Sequence, residues 1–379
     1  MDREPAPSEP LHVRIAARVR HDVRVGRYTP GQRLPAEVEF ARQLGVSRGT
    51  LRQAFSALLN EGLLQTVRGR GTFVSDRSSQ QPAGLVGMIL PSVVRARNPE
   101  LIAGAEQVLS LAGYSLLLAI SGDEHALQAA QIERLYAQGA SGAIVYVVDG
   151  SFDVPELHTL IERGFPLVLI DRHIPGLPLD AVTMDNLAGG FLATRHLVDM
   201  GYRRIGYIGT DNINTSSIVE RMAGYRWALA QSGIDCDPNI VCTNLCRLLT
   251  WPPREPEKEA HNDGVLRAFL GRTDRPAAVF VCNDYVAFQV VHVAEALGLT
   301  IPNDLALVGF DNVAYTDYFG VPLTTLEQPR FEIGTIAARL LLDRIAGRRT
   351  HTGERIVIPT RLVVRRSSHP ARIREAVLT

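Results

Sequence analysis

No stretch of the 379-residue chain stays apolar for the roughly 20 residues that a membrane-spanning helix needs. The N-terminus also lacks the basic-then-apolar pattern of a secretory signal. The expectation is a cytoplasmic protein with no membrane partner. Cysteine is scarce, with four in all. Cys236, Cys242 and Cys246 are near neighbours but form no paired CxxC and have no histidine partner, so they read as small buried hydrophobes; no metal site is expected. The ten histidines are scattered, with no HExxH pair, nucleophile elbow or phosphate-binding loop. His173 follows Asp171 and Arg172 and reads as a loop or pocket hydrogen-bonding group rather than a general base. Asn186-Leu187-Ala188-Gly189-Gly190 lacks the GxGxxG spacing of a dinucleotide site. Neither an enzyme nor a cofactor is expected.

Net charge is lacking too: formally it is zero. Its distribution is uneven. Between Pro10 and Ser75 eleven arginines stand against four acids, so a compact basic module is carried on an acidic remainder. That is the electrostatic footprint of a nucleic-acid binder. Within it, Leu11, Ile15, Val19 and Val23 recur at helical spacing and Gly26 follows as a stop. A second short helix is expected from near Ala36, burying Phe40 and Leu44 and ending at Gly45. Ser47 then stands as N-cap of a third, with Leu51, Phe55, Leu58 and Leu59 as its apolar face. Helix, glycine turn and helix is helix-turn-helix spacing, in which the second helix enters the major groove N-terminus first. Strands at Leu63–Val67 and Thr72–Ser75 flank the tip Arg68-Gly69-Arg70-Gly71, a hairpin shaped to reach phosphates or the minor groove.

The run GQRLPAEVEFARQLGVSRGTLRQAFSALLNEGLLQTVRGRGTFV resembles the GntR-family winged helix. The resemblance implies DNA contacts from Ser47, Arg48, Thr50 and Arg52 on the recognition helix and from Arg68 and Gly69 on the wing; Arg70, at the hairpin tip, is expected to reach phosphate or the minor groove beside them. Two positions depart from it. Val38 stands where the family usually has arginine, and Gly49 where threonine or asparagine is common.

Residues 76–83 (DRSSQQPA) are polar and read as a linker, leaving 1–75 as the DNA-binding domain. Beyond it, Val/Ile/Leu runs at 85–90, 114–120, 142–148, 166–171, 203–209, 277–282 and 305–311 alternate with amphipathic stretches. Such alternation indicates an α/β fold with buried parallel sheets, and its length indicates two lobes. Ligands in such folds bind beyond the carboxyl ends of strands. There stand Asp171-Arg172, Asn283-Asp284 and Asp311-Asn312, with Arg221 on the helix after the Thr210–Ser217 loop. Carboxylates and arginines converging on a cleft suit the hydroxyls of a sugar, and Trp251, Tyr315, Tyr318 or Phe319 would supply an apolar stacking face.

The segments IDRHIPGLPLDAVTMDNLAGGFLATRHLVDMGYRRIGYIG, ERMAGYRWAL, VFVCNDYVAF and LVGFDNVAYTDYFGVPLTTLEQP resemble the LacI-family regulatory domain, itself similar to periplasmic sugar-binding proteins. The resemblance covers residues 84–366, with 367–379 as a tail. It implies an effector site at Asp171, Arg172, Arg221 and Asp284, and less directly at Asp311 and Trp251, because the 240–260 region departs from the usual length. A GntR-type head on a LacI-type sensor is the architecture of the arabinose-repressor subfamily. It implies a repressor that is a homodimer, binds operator DNA and is controlled by a mono- or disaccharide. Two other readings stay open on residues alone: a solute receptor without transcriptional role, which the basic module argues against, and an activator or corepressor-dependent regulator using the same cleft.

Overall fold

The first helix, α1 (Leu11–Arg24), forms where apolar residues recur every third or fourth position: Ile15, Ala16 and Val19 are buried. In the computed structural model, residues 10–60, 62–67, 70–75, 83–92, 98–122, 124–148, 155–212, 214–247, 255–313, 316, 320–349 and 353–369 are described. They fall into two compact units, one within Met1–Gly84 joined by Ser110–Ser115, the other comprising Leu85–Leu109 and Leu116–Thr379.

In the smaller unit, α1 is followed by α2 (Glu37–Leu44), α3 (Arg48–Asn60), β1 (Leu64–Val67) and β2 (Gly71–Val74). Gly45 ends α2 in the left-handed region at φ 66°, where a side chain would be strained. On α3 the buried stripe is Leu51, Ala54, Phe55 and Leu58, and each large member contributes about 1.5–3 kcal/mol. Leu59, expected on that face, is 36% exposed instead. It lies ~100° further round the helix than Leu58, past the edge of the stripe. The strands pair antiparallel, Leu64 opposite Val74, and those two side chains close the core beside Leu34 and Phe40.

The larger unit has two principal sheets. One runs β13-β7-β6-β5-β3-β4, from β3 (Gly84–Leu90), β4 (Tyr114–Ile120), β5 (Gly142–Tyr146), β6 (Leu167–Ile170), β7 (Asp180–Met184) and β13 (Arg355–Ile358). The other runs β11-β10-β8-β9, from β8 (Ile205–Thr210), β9 (Val241–Leu245), β10 (Ala278–Val281) and β11 (Ala306–Val308). The pairs β3–β5, β5–β6, β6–β7 and β7–β13 are parallel, as are β8–β9, β8–β10 and β10–β11. Every residue of β5, β6 and β10 is buried, the signature of strands covered on both faces. A short antiparallel pair, β12 (Thr325–Glu327) with β14 (Arg361–Val363), lies beside these sheets. Between them the chain carries α4 (Asn98–Leu111), α5 (His125–Ala137), α6 (Pro155–Glu162), α7 (Asn186–Asp199), α8 (Ser216–Gln231), α9 (Pro256–Leu270), α10 (Asp284–Ala296) and α11 (Arg330–Ile345).

Helices α7 and α8 approach unusually closely. A Cβ on Gly190 would lie 2.1 Å from the Arg221 carbonyl oxygen, and one on Gly224 would lie 2.2 Å from that of Leu187. Only glycine at both positions lets the backbones meet, and this fixes the height of Arg221 on α8.

Several strands depart from expectation. β6 stops at Ile170 because Asp171 takes φ 68°. β7, β9, β12, β13 and β14 were not evident in the sequence, being 3–5 residues long and broken by Asp, Asn, Arg or Thr. Of the three cysteines expected to be buried, Cys242 is buried, Cys246 is half-buried and Cys236 is exposed; Cys282 is buried as well. Packing continues past residue 366. Ser367 and Ser368 are buried, and Ser367 Oγ donates to the Leu307 carbonyl at 2.7 Å while accepting from Thr324 N–H at 2.8 Å. No described helix is long and apolar enough to cross a membrane.

Candidate functional site

The larger unit contains a cleft built from strand ends of both principal sheets. Tyr146 ends β5, Asp171 and Arg172 follow β6, Thr210 ends β8, and Asn283 and Asp311 follow β10 and β11. Its volume is about 40 Å³. Asp171 at φ 68° and Asp311 at φ 118° are two of only three non-glycine residues with positive φ among those described, the third being Asn312. Such strain of about 1–3 kcal/mol per residue persists where surroundings enforce it, and here it turns two carboxylates into one cleft.

Arginines meet those carboxylates. Arg172 Nε lies 3.6 Å from Asp171 Oδ2, Arg172 Nη1 donates to the Val147 carbonyl at 2.7 Å, and the guanidinium sits 5.1 Å from the Tyr146 ring centroid. Arg221, buried on α8, reaches Asp311 Oδ1 at 3.5 Å and donates to Asn186 Oδ1 at 3.0 Å and the Cys282 carbonyl at 2.6 Å. Gln328 also donates to Asp311 Oδ1. Burial pushes the Asp171 carboxyl up, but Arg330 and Arg172, aided by Tyr146 and Arg221, more than offset it and hold it below the usual range. It is therefore a carboxylate at neutral pH.

Asp171, Arg172, Arg221 and Asp311 thus converge as the sequence suggested. Asp284 does not. Its fully buried carboxyl turns away from the cleft, accepting from Thr325 Oγ1 at 2.7 Å and from Val313 N–H at 3.0 Å. Burial, together with the nearby Asp311 charge, pushes its pKa up to about 8 against the opposing hydrogen bonds. Its neighbour Asn283 takes the place on the cleft wall while capping α10 through Val286 N–H. Trp251, Tyr315, Tyr318 and Phe319 lie outside the described residues. Tyr146, Tyr285 and Ile218 supply the apolar surface instead. Sequence reasoning missed Gln328, just after β12, and Arg330, the first residue of α11, both of which line the cleft. The quoted motif ends at Pro329, one residue short of Arg330. No cluster of three or more His, Cys, Asp or Glu side chains suited to a metal ion occurs among the described residues.

In the smaller unit, Ser47, Arg48 and Arg52 are exposed at the start of α3 and Thr50 is half-buried. Ser47 Oγ accepts from Thr50 N–H at 3.0 Å and lies 2.9 Å from Thr50 Oγ1, so it caps the helix. Arg52 Nε donates to Glu37 Oε2 on α2 at 2.8 Å. Arg70 is exposed beside β2, while Arg68 and Gly69 lie outside the described residues. Val38, at the position where arginine is usual, is 62% exposed on α2.

Residues 11–74 match the model of bacterial regulatory proteins of the gntR family, and residues 194–368 match that of the periplasmic binding protein-like domain. The chain is 32% identical to the arabinose metabolism transcriptional repressor of Geobacillus stearothermophilus, over 90% of this chain and 93% of that protein. Among solved structures, the complex of the transcriptional regulator CelR with cellobiose is 26% identical, covering 88% of this chain and all of that one, with a TM-score of 0.65. A LacI family transcriptional regulator from Enterococcus faecium with bound ribose is 25% identical, covering 76% and 99%, with a TM-score of 0.62. With a gntR-type helix-turn-helix followed by a periplasmic-binding-protein-like domain, the chain belongs to the family of the arabinose metabolism transcriptional repressors and is a DNA-binding transcription regulator rather than an enzyme.

Proposed function

We propose that this chain represses transcription from an operator and that a sugar in the cleft of the larger unit releases it. The observation that carries the reading is the convergence of Asp171 and Arg172 from one sheet with Arg221 and Asp311 from the other. Charged hydrogen-bonding groups on both walls suit vicinal hydroxyls, and Tyr146 and Tyr285 offer ring faces. The arabinose, ribose and cellobiose in the names of the relatives support a saccharide. A ligand touching both walls binds the closed lobes more tightly than the open ones, and only that difference shifts the regulator between states.

On the DNA side, Ser47, Arg48, Thr50 and Arg52 would face the major groove, with Arg68, Gly69 and Arg70 on the backbone. A homodimer would place two such heads on half-sites, and the protein would work in the cytoplasm. Mobility-shift titration of the full chain on its operator, with L-arabinose, D-ribose and cellobiose, tests this. Release by one of them at millimolar concentration or below supports it. Tighter operator binding with sugar would make the ligand a corepressor, and no effect of any saccharide would remove the sugar reading.

A further inference from the structure

The wing carries a third edge. Gly31 N–H donates to the Val74 carbonyl at 3.0 Å, Val74 N–H to that of Gln32 at 2.9 Å and Leu34 N–H to that of Thr72 at 2.9 Å. The segment before α2 thus runs antiparallel beside β2, with Arg33 opposite Phe73, and Phe73 in turn faces Gln65 on β1. Side chains alternate between the two faces of such a ribbon. Leu34, Leu64 and Val74 turn inward and are buried, which sends Arg33, Phe73 and Gln65 to the outer face. Arg33 is exposed there.

From that face the Arg33 side chain runs toward the tip of the wing. A Cβ placed on Gly71 would lie 3.0 Å from Arg33 Nε, 3.3 Å from Nη2 and 3.5 Å from Cζ. The guanidinium therefore occupies the space that a side chain at 71 would take, directly after the exposed Arg70. Gly71 sits at φ 109°, where a side chain would be strained, so glycine serves both the turn and the arginine laid across it. Acids do not hold Arg33 in this place. Asp22, Glu37 and Glu39, the described acids of the smaller unit, pair with Arg27, Arg52 and Arg42 at 3.0, 2.8 and 2.8 Å. Arg33 has no hydrogen bond or ion pair with any described residue.

From this placement we infer that Arg33 is a further DNA contact, a phosphate-binding residue at the root of the wing. A guanidinium has five N–H donors and no acceptor, and on a DNA-binding head the anion that meets such a fork is a backbone phosphate. The contact positions the wing and carries no sequence information. The inference rests on the wing lying against DNA, as proposed above.

Fluorescence anisotropy with the full chain tests this on two duplexes of equal length: the tightest binder that the unmodified protein selects from a random-sequence library, and an unselected one. Arg33→Gln is expected to weaken both by about tenfold per head at low salt, as loss of a charge-assisted hydrogen bond implies. It is also expected to flatten the slope of log affinity on log salt by about 0.9 per head. Arg33→Lys keeps the charge and is expected to retain most of the slope, with the melting temperature unchanged in both variants. A slope in Arg33→Gln equal to that of the unmodified chain overturns the inference. Weakening confined to the selected duplex does so too, since it would make Arg33 a base-reading residue. Lost affinity with a lowered melting temperature, not restored by Arg33→Lys, would make Arg33 a brace on the wing and likewise overturns it. Arg48→Ala is assayed alongside: if it weakens the selected duplex while Arg33→Gln changes nothing, the wing-root contact falls and the recognition-helix reading stands. If the unmodified chain binds neither duplex, both fall.

Discussion

Arg221 lies against the face of Phe310, its guanidinium carbon 3.6 Å from the ring centroid. The stack covers one face of the cation while Asn186, the Cys282 carbonyl and Asp311 meet its edge. A lysine cannot reproduce this planar arrangement. Phe310 is itself fully buried, so the guanidinium is held in one plane on the wall of the cleft.

Replacing Arg221 therefore tests both stability and response. Arg221→Met keeps the bulk but removes the guanidinium that lies 3.5 Å from buried Asp311, a loss of about 3 kcal/mol. Urea unfolding should show that loss, and calorimetry should show no effector binding. Binding at the unmodified affinity would take Arg221 out of the site.

Asp284 gives a pH signature. Its carboxyl titrates near pH 8 in the folded chain, against about 3.9 when unfolded. The folded state thus holds a proton that the unfolded state has released, and folding stability falls as pH rises between those values. Asp284→Asn removes this penalty. The variant should gain on the unmodified chain by roughly 1.4 kcal/mol per pH unit from about pH 5 to pH 8, then level off. Because the side chain faces Thr325 and Val313 rather than the cleft, effector binding should survive the change. Parallel urea titrations at four pH values, with calorimetry at one, check both statements.

At the DNA-binding head, Ser47 and Arg48 should separate. Ser47→Ala removes the cap on Thr50 and should cost about 1 kcal/mol of stability in the unit. Arg48, exposed in the first turn of α3, has no such structural duty among the described contacts. Arg48→Ala should leave the melting temperature unchanged while weakening operator binding by about 1–3 kcal/mol per head. Equal operator affinity in a mobility-shift assay would remove Arg48 from the interface.

The winged head was legible in the sequence because local patterns decide it: a four-residue apolar spacing on α1, a glycine stop after α2 and a serine cap on α3 are all short-range. The β6, β10 and β11 ends were legible for the same reason, as polar residues directly after buried apolar runs. Asp284 was misplaced by one position. At the start of α10 the cap Asn283 faces the cleft, and the next residue is rotated toward the Thr325 side, a distinction invisible without the helix axis. Arg330 was missed because it begins α11 after a three-residue strand, and only the third dimension brings it to Asp171. β7 and β13 pair with each other across some 170 residues of sequence, which no local pattern encodes.

That long-range pairing also sets up the last test. Arg355 on β13 donates to both carboxylate oxygens of Glu220 on α8, at 2.6 Å and 2.8 Å, and to Thr183 Oγ1 on β7 at 3.0 Å. Nearby, His173 N–H donates to Ser216 Oγ at the start of α8, at 3.3 Å. These bonds tie the six-stranded sheet to the helix that carries Arg221, and both partners of the ion pair are 20–30% exposed. A bidentate, half-buried pair of this kind is worth about 1–2 kcal/mol, more than an open surface pair. Neither residue lines the cleft, so weakening the pair changes the lobe equilibrium without touching the ligand's contacts. Glu220→Gln should therefore lower effector affinity by roughly five- to thirtyfold if the paired arrangement is the ligand-binding one. The double exchange Glu220→Arg with Arg355→Glu should restore part of it. Calorimetry on the three proteins decides the matter: unchanged affinity in Glu220→Gln would show that this bond does not bias the lobes, and an increase would show that it favours the ligand-free state.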